Sequence, residues 1–161
     1  MGIINKLFGK RMDGLCAPIA GRAVAISEVP DPTFAAGMLG SGIAIEPTGS
    51  RVCAPCDATV EVMFAAGHAV SLLADCGAEI LIHVGLETAG LTGSPFTVHV
   101  KEGDRVRKGQ MLIEADLESI RAAGLAVITP MVICNTDAFA AVIPHVGRTV
   151  TTADVVIELA K

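Results

Sequence analysis

The feature that most constrains this chain is how short its β-branched runs are and how regularly they stop. Val and Ile gather at 22–27, 59–63, 68–73, 78–84 and 155–159, and Gly, Pro or Asp interrupts them at short intervals. β-branched side chains suit a pleated, half-buried surface, and turn residues at this spacing leave little room for long helices. The pattern predicts an all-β fold, an antiparallel β-sandwich or barrel with a few short helical turns. Two of those turns can be located. Asp31-Pro32 supplies an N-cap and a proline at the first helical position, with Gly37 or Gly40 to close the turn, and residues 116–123 form a second candidate stopped by Gly124.

A chain of 161 residues builds one core of ordinary size, so a single domain is expected. Although 52% of the residues are apolar, Pro, Thr, Gly or charge cuts every apolar stretch well before the ~18 residues that span a bilayer. The opening MGIINKLFGKR is too short and interrupted for a secretory signal, which predicts a cytoplasmic protein. Residues 1–13 read as a separable segment and 14–161 as the domain. Within that segment Ile3, Ile4, Leu7 and Phe8 fall at helical spacing while Lys6, Lys10 and Arg11 carry positive charge. Residues 1–11 therefore read either as an amphipathic helix making weak contact with an anionic membrane surface or as a frayed tail. A net charge of −5 and the lack of Trp and Tyr argue against a nucleic-acid partner.

Five cysteines are an odd number, too sparse for a disulfide scaffold, and read mostly as small buried hydrophobes. Cys53-Ala54-Pro55-Cys56 has redox-motif spacing but neither a second such pair for zinc nor a βαβ setting. Cys16-Ala17-Pro18 echoes Cys53-Ala54-Pro55, and a strand follows each. The echo hints at two related β units.

The chemistry gathers on two histidines. His68 and His83 flank Ala74-Asp75-Cys76-Gly77, a segment with turn chemistry. A hairpin with a two- or four-residue loop sets His68 directly opposite His83, and Val70 opposite Leu81 as an apolar floor. Facing residues have Cβ atoms ~4.5–5.5 Å apart, so both rings could serve one small ligand. A three-residue bulged loop would shift that register. Such a pair suits phosphoryl transfer, with one ring as nucleophile and the other hydrogen-bonding the phosphoryl oxygens. It also suits zinc, given a further ligand. Gly85, two residues after His83, lets the chain bend back so that a backbone carbonyl can accept from Nδ1–H and leave Nε2 nucleophilic. Metal ligands use the same device, so the motif leaves both chemistries open. Spacing favours phosphoryl carriage, because no HxH or HExxH pattern exists. His99 and His145 read as ordinary structural histidines.

Several stretches, in order, carry a family resemblance: Ala17-Pro18-Ile19-Ala20-Gly21, Val29-Pro30-Asp31, Gly42-Ile43-Ala44-Ile45, Gly67-His68-Ala69-Val70, and Ile82-His83-Val84-Gly85-Leu86-Glu87-Thr88. Further along stand Glu102-Gly103-Asp104, Asp116-Leu117, Thr129-Pro130-Met131-Val132, Asn135 and Asp137. From about residue 16 to 159 the chain resembles the glucose-class IIA components of the bacterial phosphoenolpyruvate-dependent sugar phosphotransferase system. The resemblance implies a duplicated, hybrid-motif-like β-sandwich and a phosphotransferase component that needs no dissociable cofactor and no metal. By that likeness His83 carries the phosphoryl group and His68 stabilises it. The donor would be the histidine phosphocarrier protein and the acceptor a membrane IIB domain. The alternative readings are a zinc-binding hydrolase that uses the paired histidines, and a purely regulatory module that presents its histidine face to other enzymes or permeases. Phe34, Met38, Leu39, Phe64 and Leu81 match the family's apolar docking positions. Asp31 and Glu87 match an acidic pair that would meet an arginine of the donor. One departure concerns Ala65-Ala66-Gly67, where the family usually offers a Thr-Asn pair, so a hydroxyl partner for His68 is missing. A second is Glu87, which stands in place of the usual Asp. The sugar is not readable, since the membrane component selects it.

Overall fold

The structure is a computed structural model that describes residues 12–91 and 95–161. Among the described residues fourteen strands form one eight-stranded and two three-stranded sheets, every pairing antiparallel. The large sheet runs β13 (Arg148–Val150), β2 (Gly21–Ala25), β3 (Ser41–Pro47), β11 (Thr129–Ile133), β7 (Glu79–His83), β6 (Ala69–Ala74), β5 (Ala58–Met63), β9 (Arg105–Val106). One small sheet orders β1 (Met12–Cys16), β14 (Val155–Ala160), β12 (Ala141–Pro144), and the other β4 (Arg51–Cys53), β10 (Met111–Ala115), β8 (Phe96–Val98). The β-sandwich expected from the punctuated Val/Ile runs is thus present. The proposed membrane-contacting segment 1–11 lies outside the described residues. Met12 and Asp13 pair with Ala160 and Leu159.

The main core lies between the large sheet and the two small ones. Val70, Leu72 and Ala74 of β6 and Ile80 and Ile82 of β7 point into it, while Ser71, Leu73, Glu79, Leu81 and His83 take the opposite face. Fully burying an aliphatic side chain stabilises by about 1.5–3 kcal/mol, so this alternation, not the histidines, sets the position of both strands. A second cluster covers part of the outer face. There Val29, Phe34 and Leu39 pack on Ala44, Leu81 and Val132, with Leu86 and Ile128 at the margin.

The repeated Cys-Ala-Pro triplet marks a structural duplication. Cys16 N–H donates to Pro55 O at 2.9 Å and Cys53 N–H to Pro18 O at 2.7 Å. Ala17 N–H donates to Asp154 O at 2.9 Å and Ala54 N–H to Gln110 O at 2.8 Å. Each bond in one half has its counterpart in the other. The strand order of the large sheet agrees, since β13-β2-β3-β11 mirrors β9-β5-β6-β7 about the sheet centre.

Both helical turns fall where their caps predict. Helix α1 spans Pro32–Ala35, with Asp31 Oδ1 accepting from Thr33 N–H at 2.9 Å. Helix α2 spans Leu117–Ala122, with Asp116 accepting from both the amide and the hydroxyl of Ser119. In each the cap carboxylate satisfies a donor that the first helical turn leaves free.

The β6–β7 register differs from the sequence expectation. Ala74 N–H donates to Ala78 O, leaving a three-residue loop at 75–77, and Gly77 takes φ 98°. A left-handed residue at the end of a three-residue loop is the bulged connection, which advances the pairing by one position. Ala69, not His68, therefore faces His83, and Val70 faces Ile82, not Leu81. Val70 belongs to the main core while Leu81 lies on the outer face, so the two do not form a common floor beneath the rings.

Candidate active site

The two imidazoles meet in spite of the shifted register. Strand β6 starts only at Ala69, and the preceding turn, closed by Gly67 N–H donating to Phe64 O at 2.8 Å, takes His68 out of the pleat alternation. His68 O still accepts from Val84 N–H at 2.7 Å, which locks the ends of the two strands together. The ring centroids of His68 and His83 are 4.9 Å apart with planes 82° to one another, an edge-to-face contact. Two phenylalanines flank the pair. Phe34 contacts His83 at 5.4 Å and Phe64 contacts His68 at 5.7 Å, centroid to centroid.

His83 has one nitrogen already committed. Its Nδ1 lies 2.7 Å from Gly85 O. A carbonyl oxygen only accepts, so Nδ1 carries the hydrogen, and in the neutral ring Nε2 keeps its lone pair. This is the tautomer the sequence spacing predicts. The carbonyl can reach back because Gly85 adopts φ 74°, a region that side chains resist. A Cβ there would lie 2.7 Å from both Ala126 O and Thr88 Cγ2. The bend is held from two sides: Thr88 Oγ1–H donates to Val84 O at 2.6 Å, and Leu86 N–H donates to Ala126 O at 3.1 Å.

Thr88 and Ala126 escape sequence reasoning. The hydroxyl of Thr88 is buried and pinned to a carbonyl four residues back, which its place in the His83–Thr88 run signals only weakly. Ala126 acts through its backbone from about forty residues away, which its identity does not signal.

His68 is 7% exposed, and its Nδ1 is buried without a hydrogen-bond partner among the described residues. The preceding Ala65-Ala66-Gly67 carries no side-chain hydroxyl. Burial lowers the basicity of His68, and the neighbouring His83 lowers it further. For His83 burial likewise depresses the pKa, opposed by the Gly85 carbonyl and the Asp31 carboxylate. Both rings therefore stay neutral to a lower pH than a free histidine, whose pKa is about 6.5.

The sign of the linked stability follows directly. Below about pH 6.5 the unfolded chain binds protons at both positions that the folded chain resists, so acidification favours unfolding. This loss develops as pH falls through the free-histidine range and levels off below the depressed folded values. Denaturant midpoints at about pH 7.5 and 5.5 should show stability falling with acid, and a doubly substituted His68→Gln, His83→Gln protein should lose that part of the slope.

The remaining candidates spread around the pair. Phe34 is buried in the second cluster, Leu39 and Leu81 are half-buried beside it, Phe64 is 38% exposed, and Met38 at 74% stands out furthest. Asp31 caps α1 and lies near enough to act on His83 electrostatically. Glu87 is exposed and takes φ 58° at the start of the turn Thr88–Gly90. The other histidines are paired with glutamates, His99 Nε2 with Glu114 at 2.8 Å and His145 Nε2 with Glu158 at 2.9 Å. Among the described residues no third His, Cys, Asp or Glu joins the pair as a metal ligand would. Asn135 fastens the hairpin loop, accepting from Glu79 N–H at 2.8 Å and donating to Gly77 O at 2.9 Å.

Comparison with known proteins fits this geometry. The family model described as phosphoenolpyruvate-dependent sugar phosphotransferase system, EIIA 1, matches residues 13–139. The glucose-specific EIIA component of Bacillus anthracis is 44% identical over 153 residues, 92% of this chain and 93% of that protein. The mannose-specific EIIBCA component of Corynebacterium glutamicum is 50% identical over 134 residues, and there the match spans 83% of this chain but 20% of the larger protein. Glucose permease IIA from Mycoplasma capricolum superposes with a TM-score of 0.86 at 30% identity, covering 94% of this chain and 97% of that one. With its sandwich, its paired histidines and a match along most of its length, the chain belongs to the EIIA 1 family of the phosphoenolpyruvate-dependent sugar phosphotransferase system.

Proposed function

We propose that this chain carries a phosphoryl group on Nε2 of His83, between the histidine phosphocarrier protein and the IIB domain of a sugar permease. The observation that carries the reading is the bond between His83 Nδ1 and Gly85 O, which leaves Nε2 as the nucleophile. In the transfer the Nε2 lone pair forms a bond to phosphorus while the donor's bond to phosphorus breaks, and the leaving nitrogen keeps that electron pair. The ring becomes positive as the new bond forms, and the Gly85 carbonyl stabilises it through Nδ1–H. His68, edge-on to His83, supplies an N–H to the phosphoryl oxygens.

Family membership supports a phosphocarrier role in sugar uptake, and the EIIBCA relatives, in which this region is part of a longer chain, support a IIB domain as acceptor. Donor and acceptor would dock in turn on the surface formed by Phe34, Met38, Leu39, Phe64 and Leu81. Asp31 and Glu87 would provide the acidic rim for a donor arginine. Among the described residues no helix is long and apolar enough to cross a membrane, and we place the chain on the cytoplasmic side, where phosphoenolpyruvate is used.

The test is to incubate the purified protein with phosphoenolpyruvate, the general phosphotransferase enzyme and the histidine phosphocarrier, and to measure both acceptance and passage to a IIB domain. His68→Gln should still accept but pass the group on at least about 10-fold more slowly, the scale of one lost charge-stabilising hydrogen bond. Equal rates for both steps in variant and wild type would remove His68 from the mechanism.

A further inference from the structure

At the far end of the β6–β7 hairpin from the histidines lies a separate cavity lined by Cys56 and Cys76 together with Asp13, Asp57, Asp75 and Lys108. Its two thiols come from different segments that the β5–β6 ladder brings together. Ala58 pairs with Ala74 in that ladder, and Asp75 N–H donates to Asp57 O at 3.0 Å, so the same register continues past the end of the strands. Just beyond that bond Cys56 and the loop residue Cys76 border the same cavity, close enough for Cys76 to act electrostatically on Cys56. Both side chains are half-buried and pack against the main core, and both border the cavity.

We propose that Cys56 and Cys76 are a modification site, a thiol pair that a hydroperoxide converts reversibly into an intramolecular disulfide. Closing the disulfide brings the two Cα atoms to ~4.4–6.8 Å, a movement confined to the 75–77 loop that carries Cys76. The cavity admits the small oxidant to both sulfurs. In the first step, with hydrogen peroxide as the oxidant, the Cys76 thiolate attacks one peroxide oxygen, the O–O bond breaks, the departing hydroxide takes up the proton that the thiol had released and leaves as water, and Cys76 becomes a sulfenic acid. In the second, the Cys56 sulfur attacks the Cys76 sulfur, the S–O bond breaks, and the departing hydroxide takes the Cys56 proton as a second water. Two thiols thus lose two electrons and two hydrogens, and one peroxide is reduced to two waters.

The order of steps follows from the surroundings. Burial, then the neighbouring Cys76, Asp57 and Asp75, push the Cys56 thiol up to about 12, so Cys56 waits as the resolving partner. Cys76 sits in the exposed hairpin loop, reached from solvent. None of the other three cysteines lines the cavity, although Cys16 comes close enough to Cys56 to act on it electrostatically. Cys16 is 1% exposed with its thiol directed at Ala153 O, Cys53 is buried at the end of β4, and Cys134 stands beside Asn135. The Cys53-Ala54-Pro55-Cys56 motif is therefore not the working pair, since Cys53 lies outside the cavity that Cys56 shares with Cys76.

The experiment is to titrate the full-length native protein with hydrogen peroxide, quench free thiols by alkylation, and map peptides without reduction. The expected result is a peptide pair joined through Cys56 and Cys76, reversed by a dithiol reductant, at doses that leave Cys16 and Cys53 alkylatable only after unfolding. Cys56→Ser should stop the reaction at a Cys76 sulfenic acid trapped by dimedone, and Cys53→Ser should leave the crosslink unchanged. The wild-type map does not depend on any variant folding. A crosslink through any other cysteine, or no crosslink while Cys76 is oxidised, would overturn the proposal.

Discussion

His83→Gln is expected to accept no phosphoryl group at all, a loss limited only by the sensitivity of the assay. Glutamine keeps an N–H that can reach the Gly85 carbonyl and a side chain of comparable polarity, so the loop from 84 to 88 should hold its shape. What it lacks is a ring nitrogen with a free lone pair, and no other group near the site offers one in the right tautomer. His68 is the nearest alternative nucleophile, but its ring is more deeply enclosed, with Nδ1 buried. Intact mass after incubation with the donor system should show one acid-labile phosphoryl on the wild type and none on the variant. A circular-dichroism melt separates this from unfolding, because the substitution removes little buried apolar surface. Retained labelling would move the nucleophile elsewhere.

Gly85→Ala should be the most damaging single-methyl change near the site. Its Cβ would sit 2.7 Å from Ala126 O and 2.7 Å from Thr88 Cγ2, and the backbone would have to keep φ 74° with a side chain attached. Neither neighbour can yield cheaply, since Thr88 is tied to Val84 O and Ala126 O accepts from Leu86 N–H. The strain of a left-handed alanine alone is about 1–2 kcal/mol, and overpacking adds about 1–3 kcal/mol. The loop should relieve this by swinging the Gly85 carbonyl away from His83 Nδ1. Freed from its acceptor, the ring samples the tautomer with hydrogen on Nε2, which cannot attack phosphorus, and a displacement near 1 Å costs about 100-fold in rate. The expected outcome is a fall in acceptance rate of that order with a lowered denaturation midpoint. Unchanged kinetics would mean that the carbonyl does not govern the tautomer.

Much of this was legible because the determining interactions are local. Asp31-Pro32 and Asp116 announce their caps within three or four residues, and the short Val/Ile runs fall on strands with errors of a residue or two at their ends. The glycine after His83 points to the Nδ1 bond because only a bend at that position returns a carbonyl to the ring. The hairpin register was not legible in the same way. The segment 74–77 fits loops of two, three or four residues, and the choice rests on Gly77 and on Asn135, which grips the loop from β11's far end. His68 meets His83 through a turn at the strand's start instead of through facing positions, so the expected proximity arose by a different route.

The central claim is that Nε2 of His83 bears the phosphoryl group, and the most direct measurement is phosphorus–nitrogen coupling in the phosphorylated, nitrogen-15-labelled protein. The account predicts that the single phosphorus signal couples to Nε2 of His83 while the Nδ1 proton remains protected by its bond to Gly85 O. Coupling to Nδ1, or to either nitrogen of His68, would contradict it.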